Sequence, residues 1–183
     1  MKGIARIFGF IVSVCCASNN LLADIQEYKL KAAFIEKFTH FIEWPSDSKV
    51  NDKSIAFKIC QFGNNPISKP LTKLTQIIQI KGKSVETVNI EHAEDVVECD
   101  LVIISKNQTH SVAKLRQYTY GQPILSIADS PGVAQKGVII NFFYRDGGLG
   151  FEINIDEAKA SGFDISSRLL KLSRVISENS PTP

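Results

Sequence analysis

The side chains able to do chemistry are few and scattered. His40, His92 and His110 form no i, i+4 pair of the kind that places two imidazoles on one helix face for zinc, and no Cys-x-x-Cys accompanies them. His40 falls beside an apolar stripe and reads as a surface or satisfied histidine. Gly82-Lys83-Ser84 ends like a phosphate-binding loop, but that motif needs glycine where the chain has Ile77. Ser105, Ser126 and Ser130 lack the glycine-flanked elbow that exposes a hydrolase nucleophile. Asp129, Asp146 and Glu152 are placed to line strand ends, where open α/β sheets bind ligands. For the two aspartates, turn formation is an equal explanation. No catalytic, cofactor-binding or metal-binding residue follows, so the expectation is that the chain carries no cofactor and is not an enzyme.

Short apolar runs alternate with amphipathic ones. Ile55–Phe62 reads as a strand, Pro66–Ile78 as a helix, Ser84–Ile90 as a weaker strand, and Glu91–Glu98 as a short acidic segment. Leu101–Ser105 is continuously apolar, which suits a strand buried on both faces. Ser111–Tyr120 reads as a helix and Ile124–Ala128 as a strand, and Asp129-Ser130-Pro131-Gly132 as a turn into a short helical segment. This alternation predicts a three-layer, Rossmann-like α/β sandwich whose sheet is mostly parallel, an architecture that by itself says nothing about nucleotides. Near the C-terminus, Val138–Arg145 and Leu149–Asn154 flank Asp146-Gly147-Gly148, which predicts an antiparallel hairpin. Ile155–Ala160 and Ser166–Ile176 read as helices broken near Gly162, the second with Leu169, Leu170, Leu172 and Ile176 as its buried face. Phe142, Phe143 and Tyr144 are consecutive, so alternation turns Phe143 opposite the other two. An outward member would be a candidate anchor for a partner or for a homodimer; the alternative is a triplet covered by the last helix.

Met1–Ala23 carries Lys2 and Arg6, then the apolar run IFGFIVSVCCA, then small and polar residues, the layout of a cleavable export signal. The run is short for a membrane span, and no other stretch approaches that length. Lipidation at Cys15 or Cys16 is the rival, disfavoured because Val14 and Cys15 stand where Gly, Ala or Ser would precede. Export predicts a mature protein that is not membrane-embedded. Lys2 and Arg6 leave with the signal, so the 21 basic residues fall to 19, equal to the 19 acidic ones. A neutral chain without a basic stripe argues against a nucleic-acid partner. Residues 24–177 fit one domain, followed by a polar tail at Glu178–Pro183.

Cys60 and Cys99 then remain, 39 positions apart. In an oxidising compartment such a pair is commonly bridged. Against that, Cys60 falls late in its strand and Cys99 just before the next, which separates them if the strands are parallel neighbours. Two free buried thiols are the alternative.

The segment YKLKAAFIEKFTHFIEWP, Tyr28 to Pro45, reads as a helix with Leu30, Phe34, Phe38, Phe41 and Ile42 on one stripe. Trp44 precedes proline and Pro45 cannot continue the ladder, so the helix should end near Glu43. An aromatic stripe of this kind is ordinarily core. Together with GFEIN and GFDISSRLLKL near the other end, however, the segment resembles the YfiR family of periplasmic proteins. That resemblance implies control of a membrane-bound diguanylate cyclase through the enzyme's periplasmic domain, and with it lower cyclic di-GMP and less biofilm. It also favours pairing of Cys60 with Cys99, since family members carry cysteines at similar places. A periplasmic ligand-binding or sensory module is the second expectation.

Overall fold

The computed structural model describes residues 26–145 and 147–177. The expected export signal with Cys15 and Cys16, Asp146, and the tail from Glu178 lie outside the described residues. Helix α1 spans residues 26–41 and runs into β1 (Ile42–Glu43). There follow β2 (Phe57–Phe62), α2 (Ser68–Thr75), β3 (Val85–Ile90), β4 (Leu101–Ile104), α3 (Val112–Thr119) and β5 (Leu125–Ala128). The chain continues through β6 (Ile140–Arg145), β7 (Gly148–Asn154), α4 (Ile155–Ala160), β8 (Asp164–Ile165), α5 (Ser167–Leu172) and β9 (Arg174–Ile176).

The main sheet has seven strands in the order β3-β2-β4-β5-β6-β7-β9. β3, β2, β4, β5 and β6 are mutually parallel, β7 is antiparallel to β6, and β9 runs parallel to β7. This is the expected mostly parallel α/β sandwich with its antiparallel hairpin. β4 and β5 are buried at every residue, as continuous apolar strands between two layers must be. On one face α1 and α2 cover Phe57, Ile59, Leu101, Ile103, Ile127, Ile140 and Phe142. On the other, α3 and the 3-10 turn Ala93–Glu98 cover Cys60, Phe62, Val102 and Ile104.

Alternation along β2 sends the Cys60 side chain to the α3 face, and Cys99 closes the 3-10 turn that crosses that face. The two are joined as a disulfide with Cα atoms 5.8 Å apart. The objection from strand ends fails for a geometric reason: in register Cys60 lies beside Val102, but the chain enters β4 from above the sheet rather than along it.

Four expectations are corrected. Helix α1 ends at residue 41 instead of near Glu43, because Ile42 and Glu43 pair with Ile165 and Asp164 of β8. Its buried line is Ala32, Ile35 and Phe38, leading to Ile42, whereas Leu30 is 47% exposed and Phe34 and Phe41 sit at the margin. The Ser166–Ile176 helix stops at Leu172, where Ser173 turns extended (φ −99°, ψ 162°), and Arg174–Ile176 becomes the edge strand β9. Leu172 is consequently 76% exposed, while Arg174 comes beside Glu152. Finally, β6 is internal, and Phe142 is covered by α1 rather than by the last helix: Phe38 approaches its ring at 5.7 Å and Phe34 at 6.2 Å.

The two end motifs meet in space. Trp44 packs edge-on against Phe57 and Phe163, at 5.6 and 5.3 Å, and Ser166 donates its backbone N–H to the Phe41 carbonyl at 2.9 Å. Gly162 has φ +75°, and a Cβ there would come within 2.7 Å of Pro45 Cγ, so the turn needs glycine on both counts. WP and GFDIS thus form a clasp that fastens the start of the domain to its end.

Candidate functional site

α2 follows β2 onto one face of the sheet and α3 follows β4 onto the other. The loops leaving these neighbouring strands therefore diverge at their C-terminal ends and open a crevice, the switch point at which doubly wound sheets take ligands. Gly63 (φ +83°) lets the two loops pass closely, since a Cβ there would lie 2.5 Å from Gln108 Cγ. The crevice holds a cavity of about 350 Å³ with an apolar floor that includes Ile104, Ala128 and Phe142 and a rim that includes Tyr28, Asn64, Asn107 and Asp129. A second cavity of about 690 Å³ adjoins it over β6, sharing Lys31, Lys106, Asp129 and Phe142.

Charge organises this region. Lys31 on α1 keeps a side chain only 3% exposed, and such an ion persists only when matched. It donates to Glu27 Oε1 at 2.5 Å, one helical turn earlier, and to Asp129 Oδ2 at the end of β5. Lys106, in the loop after β4, reaches Asp129 Oδ1 at 3.1 Å. The rings of Tyr28 and Tyr144 stand 5.3 and 5.5 Å from the Lys31 ammonium. Burial raises the Tyr144 phenol well above its ordinary value, aided by its hydrogen bond to Glu27 and by the Glu27 and Asp129 charges. Burial likewise opposes ionisation of Glu27, but the Lys31 hydrogen bond and charge, with Tyr144 and Lys106, outweigh it and hold the carboxyl below the usual range. Burial also pulls Lys106 down, and the Asp129 hydrogen bond and charge reverse that and raise it.

A polar relay runs along the floor of the second cavity. Asn141 accepts from the Ser130 N–H at 3.0 Å and donates to Glu152 Oε1 at 2.9 Å. Arg174 Nε donates to Glu152 Oε2 at 3.0 Å, and its guanidinium lies 4.4 Å from the Phe143 ring.

Asp129 therefore does lie at a strand end, beside the crevice, whereas Glu152 sits within β7 between its partners Asn141 and Arg174; Asp146 lies outside the described residues. Phe142 belongs to the core, Phe143 is half-buried on the opposite face, and Tyr144 is 54% exposed beside α1. His40 bonds Glu36 on its own helix at 2.6 Å. Among the described residues no group of three or more His, Cys, Asp or Glu is arranged to hold a metal ion. The serines are structural: Ser105 Oγ donates to the Phe62 carbonyl, and Ser126 Oγ accepts from the Ile139 N–H. Sequence reasoning missed Lys31, Lys106 and Lys136, which enter from three separate elements. The one local signal was the Glu27–Lys31 pair at i, i+4.

A separate apolar groove of about 340 Å³ lies between α1 and α5, lined by Leu30, Phe34, Phe41, Leu169 and Leu172.

The fold and this crevice define a doubly wound α/β domain with an ion-paired cleft at the switch point. The chain belongs to the YfiR/HmsC-like family, whose profile matches residues 28–174. No curated protein matches it.

Proposed function

We propose that this protein is a periplasmic regulatory binding protein, not an enzyme, that represses an inner-membrane diguanylate cyclase and so lowers cyclic di-GMP and biofilm formation. The observation that carries this reading is membership of the YfiR/HmsC-like family over residues 28–174. Export rests on the Met1–Ala23 segment, and among the described residues no helix is long and apolar enough to cross a membrane. Repression would operate by tighter binding to the inactive conformation of the cyclase's periplasmic domain, which shifts the enzyme's population. The α1/α5 groove, with Leu172 76% exposed, and the exposed Tyr144 in the lining of the second cavity are the surfaces offered to that partner or to a second copy of the chain.

Deleting the gene should raise cyclic di-GMP and biofilm, and a copy lacking Met1–Ala23 should not restore the wild type. Unchanged cyclic di-GMP in a strain that expresses the protein would overturn repression.

A second reading, a periplasmic ligand-binding or sensory module, is favoured by the crevice, whose position and volume suit a small molecule. The two readings are compatible if ligand occupancy biases partner binding.

A further inference from the structure

The two cavities at the strand ends are not electrically balanced. Arg174 and Glu152 answer each other. Lys31 is answered by Glu27 on its own helix and by Asp129. Asp129, already committed to that buried ammonium, is among the described residues the one carboxylate that Lys106 bonds, Glu27 reaching Lys106 only through its charge, and none pairs with Lys136. Lys106 and Lys136 both line the mouth of the second cavity from different loops, and Lys106 is 66% exposed. The mouth thus has two ammonium groups and a share of one carboxylate, a deficit of about one negative charge. The adjoining first cavity, which shares Lys106, Asp129 and Phe142 with the second, has the apolar floor of Ile104, Ala128 and Phe142, with Tyr28 at its rim and Asn64 and Asn107 in its lining.

From this arrangement we infer that the crevice binds a small organic acid carrying one negative charge on a planar, largely apolar body. The acid group sits on Lys106 and Lys136, releasing Asp129 to Lys31, and the body lies over Phe142. A single missing charge beside an apolar floor fits a monoanion with a hydrocarbon frame better than inorganic phosphate, which brings more charge and no surface to bury. The inference rests on the ligand-binding reading and names the class of ligand and its seat. Because Asp129 joins α1 to the end of β5, a ligand that competes for Lys106 acts on the ion pairs that hold α1 against the sheet.

The test is fluorescence titration of the mature protein with 8-anilinonaphthalene-1-sulfonate at low salt, with uncharged N-phenyl-1-naphthylamine as comparison and amide NMR shifts to locate each probe. Saturable binding of the sulfonate is expected, with shifts at Asn64, Asn107 and Asp129. Lys106→Gln and Lys136→Gln, both at exposed side chains, should each weaken it about threefold, the scale of a solvated ion pair. Asp129→Asn, which frees Lys106, should strengthen it by a similar factor, and added salt should weaken it. The neutral probe should ignore all three variants, and Leu172→Ser should leave sulfonate binding unchanged. Cleft binding that is indifferent to these charges would overturn the assignment of an anion while leaving a ligand-binding module standing. Binding lost in Leu172→Ser, or no saturable binding in the crevice below about 1 mM, would overturn the site together with that module.

Discussion

Glu152 is 1% exposed, and Asn141 and Arg174 both donate hydrogen bonds to it. Arg174→Ala should therefore cost about 2 kcal/mol in urea denaturation, since the carboxylate is left buried with one donor fewer. Lys114→Ala, which removes an exposed pair with Glu94, should cost nothing measurable in the same assay. Titration provides a second test at this scale. Glu27 and Glu36 are both held below their ordinary 4.5, Glu27 by Lys31 and Glu36 by His40 and Lys37, against a burial effect that would raise them. A depressed carboxyl stabilises the fold above its unfolded value and loses that contribution as pH falls through its folded value. The melting temperature should thus hold from pH 7 to about pH 5 and fall progressively below 4.5, and less steeply in Glu36→Gln.

At the scale of elements, the clasp between β1 and β8 and the bridge between β2 and the turn before β4 each join segments distant in the chain. Gly162→Ala should destabilise by about 2 kcal/mol, because the left-handed backbone and the contact with Pro45 are both violated. Gly132→Ala, at φ +73° with nothing within 4 Å, should cost only about 1 kcal/mol, and comparing the two isolates the clasp. The Cys60–Cys99 bridge closes 39 positions, for which loop entropy gives about 4 kcal/mol. Protein from the periplasm should show no free thiol until reduced, and reduction should lower its melting temperature by on the order of 10 °C. Two equivalents of thiol in the native protein would remove the bridge from the account.

For the molecule as a whole, the surfaces proposed to meet a partner, Leu172 at 76% and Tyr144 at 54% exposure, are separate from the covered core. Leu172→Ser and Tyr144→Ser should each weaken capture of the cyclase's periplasmic domain about fivefold while the melting temperature holds. A fall in melting temperature would assign that side chain to packing instead.

Local chemistry in the sequence was enough for the layers and most elements, since continuous apolar runs such as Leu101–Ile104 and the glycine turn at 147–148 carry their own periodicity. It was enough, too, for Asp129 at a strand end, because strand-to-loop boundaries are local. It was not enough for the fate of residues 173–176, where local pattern favours helix and a buried carboxylate on another strand draws Arg174 into the sheet. Nor could it show that Cys99 approaches Cys60 from above the sheet, or that lysines 75 and 30 positions apart, Lys31, Lys106 and Lys136, surround one cleft. Periodicity is a property of neighbours along the chain, whereas those meetings depend on strand order and on which face each connection crosses. Only the tertiary structure sets these.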